Sequence, residues 1–205
     1  TDRDRNAKTQ LALYIEGQLA KAPEPPLVDA YGNPEIDLVH WSEKQDADQV
    51  MLQLLKTGEE LSYGNAPEQR AWFFPPLDIQ PDETRSCIFL IHGGGWGGRP
   101  EMLAPQAVYF QRRGFNAVVI HFRAPRKGLT PADTLRDVHA AYRFVCQQAD
   151  ELQIDSRNIF LSGGSAGGHL ALGMLTIDLG EPQLPVKPTG LMLFNPVIDL
   201  VDGWK

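Results

Sequence analysis

Residues 158–175 read NIFLSGGSAGGHLALGML. The segment opens on NIFLS (158–162), an apolar run of strand length with no polar alternation, which predicts a strand buried on both faces. It closes on AGGHLALGML, and the apolar pattern predicts a helix over 166–179. Between them lies Gly163-Gly164-Ser165-Ala166-Gly167, a G-x-S-x-G pattern. A serine on a sharp strand-to-helix turn is lifted above the edge of a sheet. The glycines two before and two after it let neighbouring backbones pass close. The next amide, that of Ala166, then sits at a helix N-terminus, where partial positive charge favours a developing oxyanion.

A second glycine cluster lies upstream, IHGGGWGG at 91–98, directly after the apolar run CIFLI. It satisfies two patterns. Gly93, Gly95 and Gly98 spell G-x-G-x-x-G, a dinucleotide fingerprint, which needs a strand before, a helix after and an acid about 20 residues on. The following strand instead ends VVIHFR, with His121 and Arg123 where the acid belongs. His92-Gly93-Gly94-Gly95 spells H-G-G-G, a loop whose amides converge on an oxyanion because no side chain blocks the approach. That reading needs a serine turn downstream, and Ser165 supplies it. The dinucleotide reading is set aside, and no cofactor or metal is implied.

Around these two motifs the pattern is regular. SCIFLI (86–91), FNAVVIHF (115–122), NIFLS and TGLMLFNPV (189–197) predict buried strands. EMLAPQAVYFQRR (101–113) predicts a helix stopped by Gly114. Thr130-Pro131-Ala132-Asp133 is a helix start, with a hydroxyl N-cap, proline at N1 and an acid at N3. That helix carries an apolar stripe at Leu135, Val138, Tyr142 and Val145. Alternating strands and helices with continuous apolar strands predict an α/β fold, a mostly parallel sheet with helices on both faces. Upstream, LALYIEGQLAKA (11–22) predicts a short helix, the proline-rich 22–34 an extended linker, 43–61 a helix, and QRAWFF (69–74) a strand. The expected division is an N-terminal helical or extended extension over 1–57 and an α/β core over 58–205.

The 205 residues suffice for one domain with a sizeable core. A formal net charge of −7 argues against a nucleic-acid groove or an anionic membrane surface as the main partner. No apolar run is long enough for a membrane span, and TDRDRNAKTQ at the start is no signal-peptide core. A soluble protein is expected, with the compartment left open. Two cysteines, Cys87 and Cys146, are expected as buried thiols rather than a disulfide framework.

Together, GGSAGGHLAL, HGGGW and NPVIDL resemble the α/β-hydrolase fold, and more narrowly the H-G-G-G carboxylesterases related to hormone-sensitive lipase. The acetyl-xylan and feruloyl esterase-like branch and kynurenine formamidase-like proteins are the most similar. The resemblance covers about residues 58–201, and SYGNAPEQRAWFFPP is similar to the family's lead-in strand. It implies Ser165 as nucleophile, Gly94, Gly95 and the Ala166 N–H as oxyanion hole, and His92, next to Gly93, as the brace of the loop. Trp96 has two readings, lining of an acyl or alcohol pocket or ordinary core packing.

The sequence departs from the family in the rest of the triad. Family members follow the serine with an acid and then a histidine. After Ser165 this chain has one histidine, His169, a single turn along the same helix and badly placed to face the hydroxyl. His139 extends the Leu135 stripe, His40 lies in the extension, and His121 ends a strand before the serine. Asp199 is the candidate acid, against an ordinary loop or helix-cap carboxylate. A serine without a base attacks slowly. The expectation is therefore a piece of a longer enzyme, lacking the last strands and helix, the triad acid and the histidine, and inactive alone. Its partners would be a small ester and the missing C-terminal segment. Three functions remain in play: a serine esterase forming an acyl-enzyme, an amidase or formamidase on the same machinery, and a non-catalytic binding protein.

Overall fold

The apolar runs assemble into a single six-stranded sheet. The computed structural model describes residues 47–126 and 128–198. The helix expected at 11–22, the linker at 22–34, His40 and Asp199 lie outside the described residues. In chain order the elements are α1 (Ala47–Leu55), β1 (Glu59–Ser62), β2 (Arg70–Phe74), β3 (Arg85–Ile91), α2 (Ala104–Gln111), β4 (Asn116–His121), α3 (Pro131–Gln147), β5 (Ile154–Gly164), α4 (Ala166–Thr176) and β6 (Gly190–Phe194). The strand order is β1-β2-β4-β3-β5-β6. β1 and β2 pair antiparallel, as do β2 and β4, whereas β4, β3, β5 and β6 run parallel.

The strand expected at 158–162 runs Ile154–Gly164, the one expected at 189–197 runs Gly190–Phe194, and three expected helices also change bounds. The helix of 43–61 stops at Leu55, and Glu59–Ser62 is a strand. The Thr57 hydroxyl donates to the Leu54 carbonyl and closes the helix there. The helix of 101–113 becomes a 3-10 turn over Pro100–Leu103 followed by α2 from Ala104. Pro105 takes the first turn, where its missing N–H costs nothing. The helix expected to run to 179 ends at Thr176, after which Ile177 is extended.

Helices lie on both faces. On one face α3 sets Leu135, Val138, Tyr142 and Val145 against Cys87, Phe89, Ile91, Val118 and Ile120. The Phe89 and Tyr142 rings meet edge to face, centroids 5.5 Å apart. The alternate residues Ile88, Leu90, Ala117 and Val119 are buried on the other face, where α2 packs on β2, β3 and β4. Burying each of the valine, leucine, isoleucine and phenylalanine side chains contributes about 1.5–3 kcal/mol. α3 starts as its sequence requires. Thr130 Oγ1 accepts from the Asp133 N–H, and the Asp133 carboxylate accepts from the Thr130 N–H. Cys87 is buried and Cys146 half-buried, and both are free thiols. Among the described residues no helix is long and apolar enough to cross a membrane.

The register of the parallel strands positions the site. Ile91 pairs with Gly163 on one side and with Ile120 on the other. The glycine loop that follows β3 and the serine turn that follows β5 therefore leave the sheet at the same edge, side by side.

Candidate active site

Ser165 stands between β5 and α4 with φ 52° and ψ −121°, a region that a residue with a side chain enters only when its surroundings force it. The surroundings do so. The Ser165 N–H donates to the Phe194 carbonyl at the end of β6 (2.9 Å), and the Ser165 carbonyl accepts from His169 N–H (3.1 Å) and Val197 N–H (3.2 Å). The residue is exposed, and Ala166 behind it is buried. As the first residue of α4, Ala166 has no intrahelical acceptor for its N–H.

The elbow and the glycine loop interlock through backbone. A Cβ on Gly93 would lie 2.6 Å from the Gly164 carbonyl oxygen, and one on Gly167 would lie 2.1 Å from the Ile91 carbonyl oxygen. Neither position admits a side chain without moving main chain. The loop then turns through three left-handed residues, Gly94 (φ 73°), Gly95 (φ 61°) and Trp96 (φ 61°). Gly98 N–H closes it on the Gly93 carbonyl (3.2 Å), and Gly97 N–H on the Gly94 carbonyl (3.1 Å). These two bonds orient the amides. A trans peptide is planar, so its N–H points opposite to its C=O. With the Gly93 carbonyl turned toward Gly98, the Gly94 N–H faces away from the loop interior. The Gly94 carbonyl sets the Gly95 N–H in the same manner.

His92 lies beneath the loop and is 1% exposed. Its ring stacks on Phe122 with centroids 4.1 Å apart. Nδ1 lies 3.2 Å from the Gly93 carbonyl oxygen and Nε2 lies 3.0 Å from Nδ1 of His121. Burial, reinforced by His121, holds the His92 imidazole down to about 4, against the bond to Gly93. Burial also lowers His121, against the pull of Glu68 and Glu101. Below, the Tyr63 hydroxyl donates to the His121 carbonyl. Arg123 then anchors the chain by donating through N–H, Nε and a terminal nitrogen to the buried Asp137 carboxylate, at 2.7–3.0 Å.

Trp96 is half-buried. Its ring meets His169 edge to face at 5.6 Å, and among the described residues its Nε1–H has no acceptor. His169 is occupied, with Nδ1 2.9 Å from the Val197 carbonyl oxygen. Trp96, Leu135, His169, Leu170, Gly173 and Ile177 are among the residues around an apolar cleft of about 130 Å³. His139 is buried on α3, both ring nitrogens without partners among the described residues. The structure thus brings together Ser165, Ala166, Gly93, Gly94, Gly95 and His92, with Trp96 beside them. The His92–His121 pair is not legible in the sequence, because the histidines meet only through the register that pairs Ile91 with Ile120.

Strand order, elbow and glycine loop define the α/β-hydrolase fold. The chain belongs to the BD-FAE family, whose model matches residues 77–183. It is 28% identical to endo-1,4-beta-xylanase B of Butyrivibrio fibrisolvens over 68% of this chain and 23% of that protein. It is 29% identical to an esterase of Gibberella moniliformis over 94% of this chain and 57% of that one. Among solved structures, esterase 2 of Thermogutta terrifontis phosphorylated by paraoxon superposes with a TM-score of 0.65 at 34% identity, covering 72% of this chain and 60% of that one. The chain thus spans between about a quarter and three fifths of the length of these relatives.

Proposed function

We propose that the protein containing this chain is a serine esterase acting on small carboxylic esters. Ser165 Oγ attacks the ester carbonyl while a histidine elsewhere in the protein takes the hydroxyl proton. The tetrahedral oxyanion is held by the N–H groups of Ala166 and of the loop glycines Gly94 and Gly95. Collapse expels the alcohol, which takes the proton from the histidine, and leaves an acyl-enzyme. Water, deprotonated by the same histidine, then releases the acid and restores Ser165. His92 braces the loop, and Trp96 lines the pocket beside the serine.

The observation that carries this reading is the strained, exposed Ser165 on an elbow whose neighbouring strand ends in the H-G-G-G loop. The esterase names of two of the relatives agree with it. The test is turnover of p-nitrophenyl acetate by the full-length protein, with and without Ser165→Ala, together with mass mapping of the paraoxon adduct. Turnover that drops to background in the variant, and an adduct on Ser165, are expected. Unchanged turnover in Ser165→Ala sinks the mechanism. Faster cleavage of a formamide than of the matching ester would make the protein an amidase. No turnover and no adduct would make it a binding protein.

A further inference from the structure

The proton positions in the His92–His121 pair follow from acceptor chemistry. The Gly93 carbonyl only accepts, so His92 Nδ1, 3.2 Å away, carries a hydrogen. A neutral His92 then has a lone pair on Nε2, and His121 Nδ1, 3.0 Å away, must be the donor. The hydrogen bonds therefore run in one direction, from His121 to His92 to the Gly93 carbonyl. In the opposite tautomer of His92, the Nδ1 lone pair would face the Gly93 carbonyl oxygen with no hydrogen between them, and Nε2–H would donate to a lone pair on His121 Nδ1. The Gly93 carbonyl already accepts from the Gly98 N–H, so His92 fills its second lone pair. With both filled, the plane of the Gly93–Gly94 peptide is pinned, and with it the direction of the Gly94 N–H.

We propose that His121 is a positioning residue for the oxyanion loop: its Nδ1–H holds His92 in the Nδ1-protonated tautomer, and His92 in turn fixes the Gly94 amide. This rests on the esterase reading above. In this role His121 acts through His92, the partner of its Nδ1. Its place is set by the β3–β4 register and by the Tyr63 hydroxyl on its own carbonyl.

The experiment uses the full-length protein, labelled with 15N-histidine, and two variants. His121→Leu removes the donor. His121→Asn places an amide N–H where the ring Nδ1–H stood. Long-range 15N–1H spectra read the His92 tautomer, and p-nitrophenyl acetate kinetics read kcat and KM separately. The wild-type protein is expected to show His92 as the Nδ1–H tautomer. In His121→Leu only the Gly93 carbonyl still selects that tautomer, so the Nε2–H form appears beside it and kcat falls about tenfold at unchanged KM, less than for outright loss of an oxyanion donor because Gly98 still holds the carbonyl. His121→Asn keeps the tautomer and recovers most of kcat.

An Nε2–H tautomer in the wild-type protein overturns the proposal. So does a His121→Leu variant with unaltered kcat, one whose kcat falls with the His92 tautomer unchanged, or a His121→Asn variant no better than it. If His121→Leu does not fold, the wild-type spectrum and His121→Asn decide. Failure of the esterase reading is separate: Ser165 then takes no paraoxon, while the tautomer of His92 in the wild-type protein and the variants still tests the clamp.

Discussion

Gly167→Ala tests whether α4 is seated directly on backbone. An alanine Cβ at 167 would stand 2.1 Å from the Ile91 carbonyl oxygen, 2.8 Å from that of His92 and 2.9 Å from the His92 carbonyl carbon. Ordinary contact begins near 3.4 Å, so α4 must lift by about 1.3 Å (3.4 − 2.1) to admit the methyl. No rotamer change relieves this, because Ile91 is locked between Ile120 and Gly163. Overpacking of this kind costs up to about 3 kcal/mol, and the better helix propensity of alanine returns roughly 1 kcal/mol. A net loss of about 2 kcal/mol lowers Tm by about 4–8 °C in a domain of this size. Gly173→Ala is the internal control. It is the same substitution on the same helix, but its Cβ meets the Leu135 methyls at 3.3 Å, and these swing aside. That variant stays within about 1 kcal/mol of wild type. The assay is thermal and urea unfolding of the full-length protein followed by circular dichroism. Where Gly167→Ala folds, kcat on p-nitrophenyl acetate falls about a hundredfold, because the serine turn has moved against the glycine loop by about 1 Å. Equal stability of the two variants would mean that α4 does not rest on the Ile91 carbonyl.

Two further outcomes are expected. Asp137→Ala costs about 3 kcal/mol, the low end for a broken buried pair. The Asp137 side chain is 2% exposed, but Arg123 is 32% exposed and partly rehydrates. A urea midpoint within error of wild type would contradict this. The second concerns acid. The folded state holds His92 at about 4 against an ordinary 6.5, so the unfolded chain takes the proton more readily. Stability is then full above pH 6.5 and falls as pH drops toward 4, by about 3 kcal/mol from this group. His121 faces His92, and Glu68, Glu101 and Arg126 face His121, so His92→Gln isolates the contribution. Its unfolding free energy must fall less steeply between pH 6.5 and 4 than that of wild type, and an identical slope counts against the assignment.

The parallel core was legible because each strand carries its own apolar run and each helix its own stripe or cap. β1 was not. Its sequence, EELS, has the exposed edge pattern of a strand that buries little, and the apolar spacing of Val50, Leu54 and Leu55 invites the helix to continue through it. The end of α4 was missed for the opposite reason. Ile177 and Leu179 extend the apolar pattern, but they line the cleft beside Trp96 rather than a further turn of helix.

The elbow and the glycine loop are short-range signals, since each needs only a strand, a turn and the residue types that fit it. The direction of the loop amides is a long-range property. His92 and His121 are neighbours only because β4 pairs with β3 and Ile91 with Ile120, a register that strand patterns do not reveal. A slip of one residue would turn His121 to the other face of the sheet. His92 would lose its partner at Nε2, and with it the proposed hold on the tautomer that donates to the Gly93 carbonyl. In the proposed mechanism H-G-G-G marks where the oxyanion is bound. In the proposed relay, the pairing of β3 with β4 and the two hydrogen bonds that run from His121 through His92 to the Gly93 carbonyl decide how firmly the Gly94 N–H is aimed.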